Sequence, residues 1–173
     1  MQALAFWKAV TADRVELLDR ILELLDENRV RYCLIGGQGV NAYVEPVVSL
    51  DLDLALASGE QQRIEALLGP PLMVGRFPPS LNVSQQGSDL CVQFQTDPRY
   101  AEFVSRATQR AVLGRELSVA AVEDILQGKV WAAQDPTRRA SKRQKDLADI
   151  ARLIEALPHL RQRVPADVLA KLI

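Results

Sequence analysis

The amino-acid sequence predicts an α/β (α+β) fold, because segments with helical periodicity and segments with strand periodicity follow one another along the chain. Its 173 residues are 48% hydrophobic and 25% charged, and a chain of this size and balance can bury a substantial core. It contains no internal repeat. We therefore expect one domain over residues 1–173, with a core at about 30–119 and a helical C-terminal part at about 120–173.

The first predicted element is a helix from Thr11 to about Asn28. Thr11 is a residue type that caps helices, and Asp13 would place a negative charge in the first turn, where the helix dipole favours it. The apolar residues that recur at helical spacing are Val15, Leu18, Ile21, Leu22 and Leu25, and this pattern predicts one buried helix face.

A short strand at Arg31 to Ile35 is predicted next, followed by Gly36, Gly37 and a short helix at about Gly39 to Tyr43. A glycine lets the backbone turn tightly and approach a phosphate group, and the N–H groups at a helix start can donate to an anion. Gly36 and Gly37 are therefore candidate phosphate-binding residues. A Gly-Gly pair after a strand is, taken alone, more often only a turn.

The segment from Leu50 to Leu56 alternates, with its leucines on one face and Asp51, Asp53 and Ala55 on the other. Carboxylates two residues apart on a strand project to the same side, about 6 to 7 Å from each other. Such a pair can hold Mg²⁺ and leave positions for water and triphosphate oxygens, which makes Asp51 and Asp53 candidate catalytic and metal-binding residues. The alternative is a solvated edge strand.

A third carboxylate from a neighbouring strand would complete a magnesium site, and Asp89 is the candidate. Strands at Leu81 to Gln85 and at Asp89 to Gln95 flank the turn residues Gln86-Gly87-Ser88, which predicts a hairpin. Alternation along the second strand places Asp89 on the polar face.

The remaining segments predict further helices and one more strand. A surface helix is expected at Gly59 to Leu68, a strand at about Ala111 to Val119, and helices at about Ala121 to Gln134 and Lys142 to Leu157, the last one ended by Pro158. Between the first of these helices and the hairpin, the segments Gly69-Pro70-Pro71 and Phe77-Pro78-Pro79 interrupt any regular pattern.

Two lysines in these helices are candidate phosphate-binding residues. Lys129 falls on the apolar stripe of the first C-terminal helix, so it either packs its stem and extends its amine to water or contacts a phosphate. Lys145 precedes Asp146 and Asp149. This group invites a catalytic role, but the i,i+4 pairs Lys145 with Asp149 and Lys142 with Asp146 are at least as consistent with surface ion pairs.

An ordered set of these motifs resembles a known superfamily. The stretch Gly36 to Tyr43 (GGQGVNAY), followed by Ser49 to Leu54 (SLDLDL), resembles the nucleotidyltransferase signature, in which a Gly-Gly or Gly-Ser turn precedes an Asp-x-Asp strand. The stretches Glu123 to Lys129 and Lys145 to Ile150 are similar to the C-terminal helices of the AbiEii-like and related bacterial branches. The resemblance covers about residues 30–157.

The resemblance implies the nucleotidyltransferase fold, a mixed β-sheet flanked by helices with further helices at the C-terminus. It also implies an enzyme that uses Mg²⁺ to move a nucleoside monophosphate from an NTP to a hydroxyl or phosphate acceptor. The matching metal ligands are Asp51, Asp53 and Asp89, and the matching nucleotide-binding residues are Gly36, Gly37, Ser49, Lys129 and Lys145. Ser49 stands where threonine is common.

One departure from the family pattern leaves a second hypothesis open. Relatives usually carry an arginine four residues before the first aspartate, and Val47 occupies that position here. Its loss could mean weaker or altered NTP binding. The alternative function is therefore a catalytically degenerate protein of the same fold that binds a nucleotide or a protein partner.

The sequence does not choose among the acceptors that the resemblance suggests. The toxin-like branches imply tRNA or protein and a possible antitoxin partner, whereas antibiotic-modifying relatives imply a small molecule. The net charge of −1 offers no overall attraction to nucleic acid or membrane. With no run long and apolar enough for a membrane span and only Cys33 and Cys91, we expect a cytoplasmic protein with two buried, reduced thiols and no disulfides.

Overall fold

The structure is a computed structural model that describes residues 16–172. Within that range the strands form one seven-stranded sheet. They are β1 (Tyr32–Ile35), β2 (Asp51–Leu56), β3 (Leu72–Phe77), β4 (Ser80–Gln85), β5 (Cys91–Gln95), β6 (Thr108–Val112) and β7 (Arg115–Val119). The order across the sheet is β3-β4-β5-β2-β1-β7-β6.

The sheet is mixed, as the sequence predicts. Strand β2 pairs antiparallel with β1 and parallel with β5, and β1 pairs parallel with β7. The outer pairs β3 with β4, β4 with β5, and β6 with β7 are antiparallel. Strands β1 and β2 are therefore central, which places the predicted carboxylate pair in the middle of the sheet.

Helices of different length connect and cover these strands. The described part of α1 is residues 16–27. The others are α2 (Gly36–Asn41), α3 (Glu60–Leu67), α4 (Phe103–Arg106), α5 (Val122–Gln134), α6 (Ala140–Ala156) and α7 (Ala166–Leu169), with 3₁₀ turns at Pro98–Tyr100 and Pro158–Arg163. Helix α2 contacts β1 and β2 as well as α5 and α6. This packing brings the long C-terminal helices next to the central strands.

The central strands are covered over most of their length. On β2, the neighbours Leu54 and Ala55 are both fully buried although they point to opposite faces. Asp51 and Asp53 are only half-buried. The face that carries the two aspartates is thus covered at the C-terminal end of the strand and accessible at its N-terminal end.

Most predicted elements are present, with some corrections. Helix α1 buries Leu18, Ile21, Leu22 and Leu25 as predicted, whereas its expected start at Thr11 and Asp13 lies outside the described residues. The strand predicted at 111–119 is a hairpin, β6 and β7, because the chain reverses at Leu113 and Gly114, both at positive φ. Strand β3 was not predicted.

Smaller corrections concern the borders and exposure of elements. Helix α2 begins at Gly36 itself, and α6 begins at Ala140. Leu50 precedes β2 and is 44% exposed, so the predicted dry face does not extend to it. Both cysteines are free, but Cys91 is only half-buried. No helix in residues 16–172 has the length and apolar character that crossing a membrane requires.

Candidate functional site

Asp51 and Asp53 lie side by side on one face of β2, at the end of the strand that meets the end of β1. The register of the antiparallel β1–β2 pair places Ile35 opposite Asp53. The chain leaves β1 at Ile35, so the glycines that follow lie directly beside the Asp53 carboxylate. The strand–glycine–strand arrangement that the sequence predicts is therefore a single spatial cluster.

Gly36 is in close contact with Asp53. It has φ of +66°, a conformation that side-chain-bearing residues rarely adopt, and a Cβ at this position would overlap the Oδ2 atom of Asp53. A Cβ on Gly37 would lie 3.3 Å from the Oγ atom of Ser49. Gly36 is thus required by the approach of α2 to Asp53, whereas at Gly37 a side chain would be only tightly accommodated beside Ser49.

The loop between α2 and β2 is fixed by polar side chains of α2. Gln38 is buried and donates to the Ser49 carbonyl at 3.1 Å, and Asn41 exchanges hydrogen bonds of 2.7 and 3.0 Å with the backbone of Val47. The Ser49 hydroxyl donates to the Asp51 carbonyl at 3.4 Å. Ser49 therefore supports the start of β2, and Val47 presents an exposed apolar side chain.

Lys129 lies on α5, on the side of the site that faces Asp53. Its side chain is 9% exposed, and its ammonium group lies 3.0 Å from Asp146 Oδ1 and 2.7 Å from Asp149 Oδ2, both on α6. Burial by itself lowers the pKa of Lys129, but the adjacent Asp149 and Asp146 more than offset it and raise that pKa above its usual value. Lys129 is therefore a buried ammonium group that is charged at neutral pH.

This cluster corrects the predicted surface pairs of α6. Asp146 and Asp149 are buried and bind Lys129, while Lys145 is exposed. The buried face of α6 thus includes two carboxylates as well as its leucines and isoleucines. Sequence periodicity placed Lys129 inside correctly, but it did not reveal that the two aspartates are its partners.

Two further cations surround the carboxylates. Arg138 donates to Asp146 Oδ2 at 2.6 Å from the loop before α6. The ammonium group of Lys142, in the first turn of α6, lies 3.6 Å from Asp51 Oδ2. Positive charge is therefore concentrated opposite the two aspartates of β2.

A cavity of about 100 Å³ lies between these walls. Its lining includes Gly36 and Asp53 on one side, Lys129, Arg138 and Asp146 on the other, and Gln93 and Gln95 from β5. A second cavity of about 550 Å³ adjoins it and shares Gln93, Gln95, Tyr100, Ala132 and Arg138. A molecule in the larger cavity would therefore be next to the carboxylate site.

The surroundings of Asp53 disfavour its ionised form. Burial raises the pKa of the Asp53 carboxyl, and the nearby charge of Asp51 raises it further, whereas Lys129 opposes both effects. A carboxylate in such a position is stabilised in its ionised form when a cation binds to it.

The third predicted carboxylate does not join this pair. Asp89 is exposed and lies before β5, which begins at Cys91. The parallel β2–β5 register places Gln93 opposite Asp53 and Cys91 opposite Asp51. Within residues 16–172, no group of three or more His, Cys, Asp or Glu side chains is arranged to hold a metal ion. The structure therefore does not assemble the predicted three-carboxylate set.

The two carboxylates that remain are compatible with a divalent cation that is also held by a ligand. They project from one strand face, and the glycine beside them leaves Oδ2 of Asp53 free of any Cβ contact. Magnesium usually takes one or two carboxylates and completes its coordination with water and substrate phosphate oxygens. Asp51 and Asp53 are the residues that would hold it.

The order of the strands, the glycine start of α2 and the paired aspartates define a protein with the nucleotidyltransferase fold, and solved structures agree. The solution structure of the antibiotic-resistance factor ANT(2'')-Ia is similar with a TM-score of 0.59 and 16% identity, over 87% of this chain and 92% of that one. Its complex with adenylyl-2''-tobramycin gives a TM-score of 0.53 and 18% identity, over 87% and 98%.

An antigenic nucleotidyltransferase-like protein from Paracoccidioides brasiliensis is also similar, with a TM-score of 0.51 and 17% identity over 95% of this chain and 91% of that one. No protein-family model and no curated protein matches the sequence. At these identities the likeness is one of fold. It confirms the fold that the sequence resemblance implies.

Proposed function

We propose that this chain is a nucleotidyltransferase that moves a nucleoside monophosphate from an NTP to a hydroxyl group of a small polar molecule. The observation that carries the proposal is the arrangement of the first cavity, in which Asp53, with Asp51 beside it, faces Lys129 and Arg138. Carboxylates on one side and fixed cations on the other suit a triphosphate that arrives with a divalent cation.

The cationic wall would bind the triphosphate. Lys129 is held in place by two carboxylates, so its position does not depend on the ligand. Arg138 lines both cavities and is 38% exposed, which lets its guanidinium group turn from Asp146 toward a phosphate oxygen. A divalent cation held by Asp51 and Asp53 would supply charge neutralisation for the leaving pyrophosphate.

The reaction that this arrangement supports is a direct displacement. The acceptor hydroxyl oxygen forms a bond to the α-phosphorus, the bond from that phosphorus to the bridging oxygen breaks, and pyrophosphate and a proton leave. The residues of this chain contribute by orienting the two reactants, which converts an encounter of separate molecules into a reaction within one complex.

The second cavity favours a small, polar acceptor. Its volume of about 550 Å³ lies in the range of about 300 to 1,000 Å³ that is typical of small-molecule sites. Its lining contributes three amide side chains, Gln93, Gln95 and Gln134, which can each donate to and accept from hydroxyl groups.

The second cavity has little positive charge left for further phosphates. Of the two arginines in its lining, Arg99 donates to Asp97 through two bonds of 2.9 and 2.8 Å, and Arg138 is the one that we assign to the triphosphate. Nucleic-acid binding needs lysines and arginines that can contact phosphates in place of counterions. The second cavity therefore offers little to an RNA acceptor.

Trp131 is not available as a platform for a nucleobase. Arg99 lies over its ring with the guanidinium carbon 4.8 Å from the centroid, and Phe103 stacks on it at 5.8 Å with an interplanar angle of 10°. Base recognition by stacking requires an open aromatic face. This observation supports placing the acceptor, rather than the base, in the second cavity.

A labelled transfer assay tests the proposed function. The purified protein is incubated with Mg²⁺, each α-³²P-labelled NTP, and a mixture that contains amino sugars, neutral polyols, tRNA and protein, with Asp53→Asn as the matched control. The expected result is a label in the small-molecule fraction that the variant does not produce. A label in the tRNA or protein fraction would refute the acceptor class, and no transfer from any NTP would contradict the enzyme itself.

The second candidate function, a degenerate protein that binds nucleotide without transfer, is favoured by two specific residues. Val47 replaces the arginine of relatives, and Gln93 stands where a third carboxylate from β5 would project. Under this function, an NTP would bind and stabilise the fold, but no pyrophosphate would be released. Any metal-dependent turnover that Asp53→Asn abolishes would eliminate it.

The toxin–antitoxin role, the antitoxin partner and the cytoplasmic location remain predictions of the sequence resemblance and composition. A gene for a small regulator next to this one, and co-purification of its product with this chain, would support the toxin hypothesis. Lys145 is exposed on α6 and lines neither cavity, so its predicted phosphate contact is the weakest part of the proposed site.

A further inference from the structure

The face of β5 that adjoins the two aspartates carries no carboxylate. Its residues are Cys91, Gln93 and Gln95, which lie opposite Asp51, Asp53 and Ala55 of β2 in the parallel register. Directly paired residues of neighbouring strands project to the same side of a sheet. Gln93 therefore points into the first cavity next to Asp53, and both residues line it.

The charges around the pair are balanced before any ligand arrives. The carboxylates of the surrounding network are Asp51, Asp53, Asp146 and Asp149, and the cations that lie beside them are Lys129, Arg138, Lys142 and Arg152. The four negative and four positive charges cancel in sum, although no cation within residues 16–172 contacts Asp53 directly, and Asp124, which also lines the first cavity, is paired with Arg106. A free dication that approaches this network gains little net attraction, because the fixed cations oppose the attraction of the carboxylates.

We propose that Gln93 makes this site one in which a single divalent cation binds, and binds only together with the nucleotide. The inference rests on the proposed function, since it concerns the cation that accompanies the NTP. Two protein carboxylates can share one ion, and the triphosphate then supplies both the missing ligands and the missing negative charge. A second ion about 4 Å away would need a further anionic ligand, and Gln93 is neutral.

Gln93 has a defined role in this arrangement. Its amide lines both cavities, so it lies between the carboxylate site and the proposed acceptor site. An amide presents one acceptor oxygen and two N–H donors. It can therefore bind a hydroxyl group at the boundary of the two cavities, which a carboxylate occupied by a metal ion would not do.

Manganese binding tests the proposal directly. Mn²⁺ is titrated into the full chain and followed by the electron paramagnetic resonance signal of the free ion, with and without α,β-methylene-ATP, whose α–β linkage is not cleaved by transfer. The variants are Gln93→Glu, which keeps the length of the side chain, and Gln95→Glu. The second adds the same charge to the same strand face, one position farther along, opposite Ala55.

The wild type is expected to retain one Mn²⁺ per chain with the analogue and to bind the ion at least about tenfold more weakly without it. Gln93→Glu is expected to bind Mn²⁺ without the analogue, with an affinity at least about tenfold above that of wild type, and to hold two coupled ions with it. Gln95→Glu should bind Mn²⁺ with the affinity and the number of ions of wild type, because its carboxylate lies opposite Ala55 and not opposite Asp53. If Gln93→Glu does not fold, as judged by its melting curve, Gln93→Asp takes its place.

Several results would overturn the proposal. They are two Mn²⁺ per wild-type chain, tight Mn²⁺ binding to the wild type without the analogue, or equal effects of the Gln93→Glu and Gln95→Glu changes. If the analogue fails to retain Mn²⁺ on the wild type, the proposed function fails instead. The comparison of the two variants without nucleotide then still decides whether position 93 is the missing ligand position.

Discussion

Gly36 shows how a single residue can fix the geometry of the site. It combines a positive φ with a backbone position where a Cβ would overlap the Asp53 carboxylate. Gly87, in the turn between β4 and β5, has a similar φ of +85°, but no atom lies within 4 Å of its Cβ position. Comparing alanine variants at the two positions therefore distinguishes the effect of backbone strain from the effect of a side-chain overlap with Asp53.

Gly87→Ala should lower the free energy of unfolding by about 1 to 2 kcal/mol, because alanine is strained in this conformation. Gly36→Ala should lower it by more, because its Cβ also overlaps Asp53. Only Gly36→Ala should also displace Asp53 and abolish the increase in melting temperature that Mg²⁺ and NTP produce. Chemical denaturation and thermal shift measure the two effects. A normal ligand-dependent shift in Gly36→Ala would contradict the described contact.

Lys129 is the residue whose removal should affect stability most. Lys129→Met would remove the buried ammonium group that Asp146 and Asp149 share and leave each with one arginine. Breaking buried ion pairs costs about 3 to 5 kcal/mol, and we expect a value near 3 because the arginines remain. The exposed Lys145 on α6 provides the control, since Lys145→Met should change stability by less than about 0.5 kcal/mol. Urea denaturation at neutral pH measures both, and equal effects would mean that Lys129 is not buried among these carboxylates.

The pH dependence of that difference follows from the raised pKa of Lys129. A group whose pKa is higher in the folded state contributes its full stability below its unfolded pKa and loses it only as the pH rises through the folded value. The stability difference between wild type and Lys129→Met should therefore be constant from neutral pH to the ordinary pKa of lysine. A decline near neutral pH would indicate a lowered pKa.

At the scale of elements, the central feature is the parallel pairing of β2 with β5. This pairing places Cys91 opposite Asp51. The pKa of the Cys91 thiol is raised, first by burial and then by the charges of Asp51 and Asp53. Cys91 therefore reports the register of the two strands.

Asp51→Asn should accelerate the alkylation of Cys91 by iodoacetamide at mildly alkaline pH by about threefold, because removing a nearby negative charge lowers the thiol pKa and increases the thiolate fraction. Asp89→Asn changes an exposed carboxylate outside the pair and should leave the rate unchanged. Peptide mass spectrometry distinguishes Cys91 from Cys33, whose pKa burial raises to about 12. Faster alkylation of Cys91 in Asp89→Asn than in Asp51→Asn would contradict the β2–β5 register.

The same pairing explains which part of the site the sequence could predict. The aspartates two residues apart, the glycines after β1 and the inward position of Lys129 follow from local periodicity, and all three were placed correctly. The residue of β5 that lies opposite Asp53 is Gln93, and the sequence does not predict this pairing. Alternation gives the face on which a residue lies, but not the register between strands that are far apart in sequence. Asp89 is an even number of residues from Gln93, as the alternation requires, but it lies outside β5, which begins at Cys91.

Elements without a clear local pattern were also missed. Strand β3 lies between two proline pairs and includes Gly75, so composition favoured an irregular segment. The turn at Leu113 and Gly114 contains an apolar residue at positive φ, which is rare. For that reason the sequence pattern predicts one strand where the structure has two. The ion pairs of α6 depend on tertiary contact with α5, which i,i+4 spacing cannot reveal.

At the scale of the whole molecule, the fold brings together segments from distant parts of the chain. Strand β2 supplies the two aspartates, β5 supplies Gln93 and the start of α2 supplies the glycines. Helices α5 and α6 supply Lys129, its two carboxylates and Lys142. The two adjoining cavities lie where these parts meet. We infer that this junction binds an NTP together with a divalent cation through Asp53.

Thermal unfolding with Mg²⁺ and each NTP, in wild type and in Asp53→Asn, tests that claim most directly. A ligand that binds only the folded state at about 100 times its Kd stabilises it by about 2.7 kcal/mol, which raises the melting temperature by several degrees. We expect this increase in melting temperature in wild type only when Mg²⁺ and the nucleotide are both present. Asp53→Asn should not show the increase. An absent shift with every NTP, or an equal shift in the variant, would contradict it.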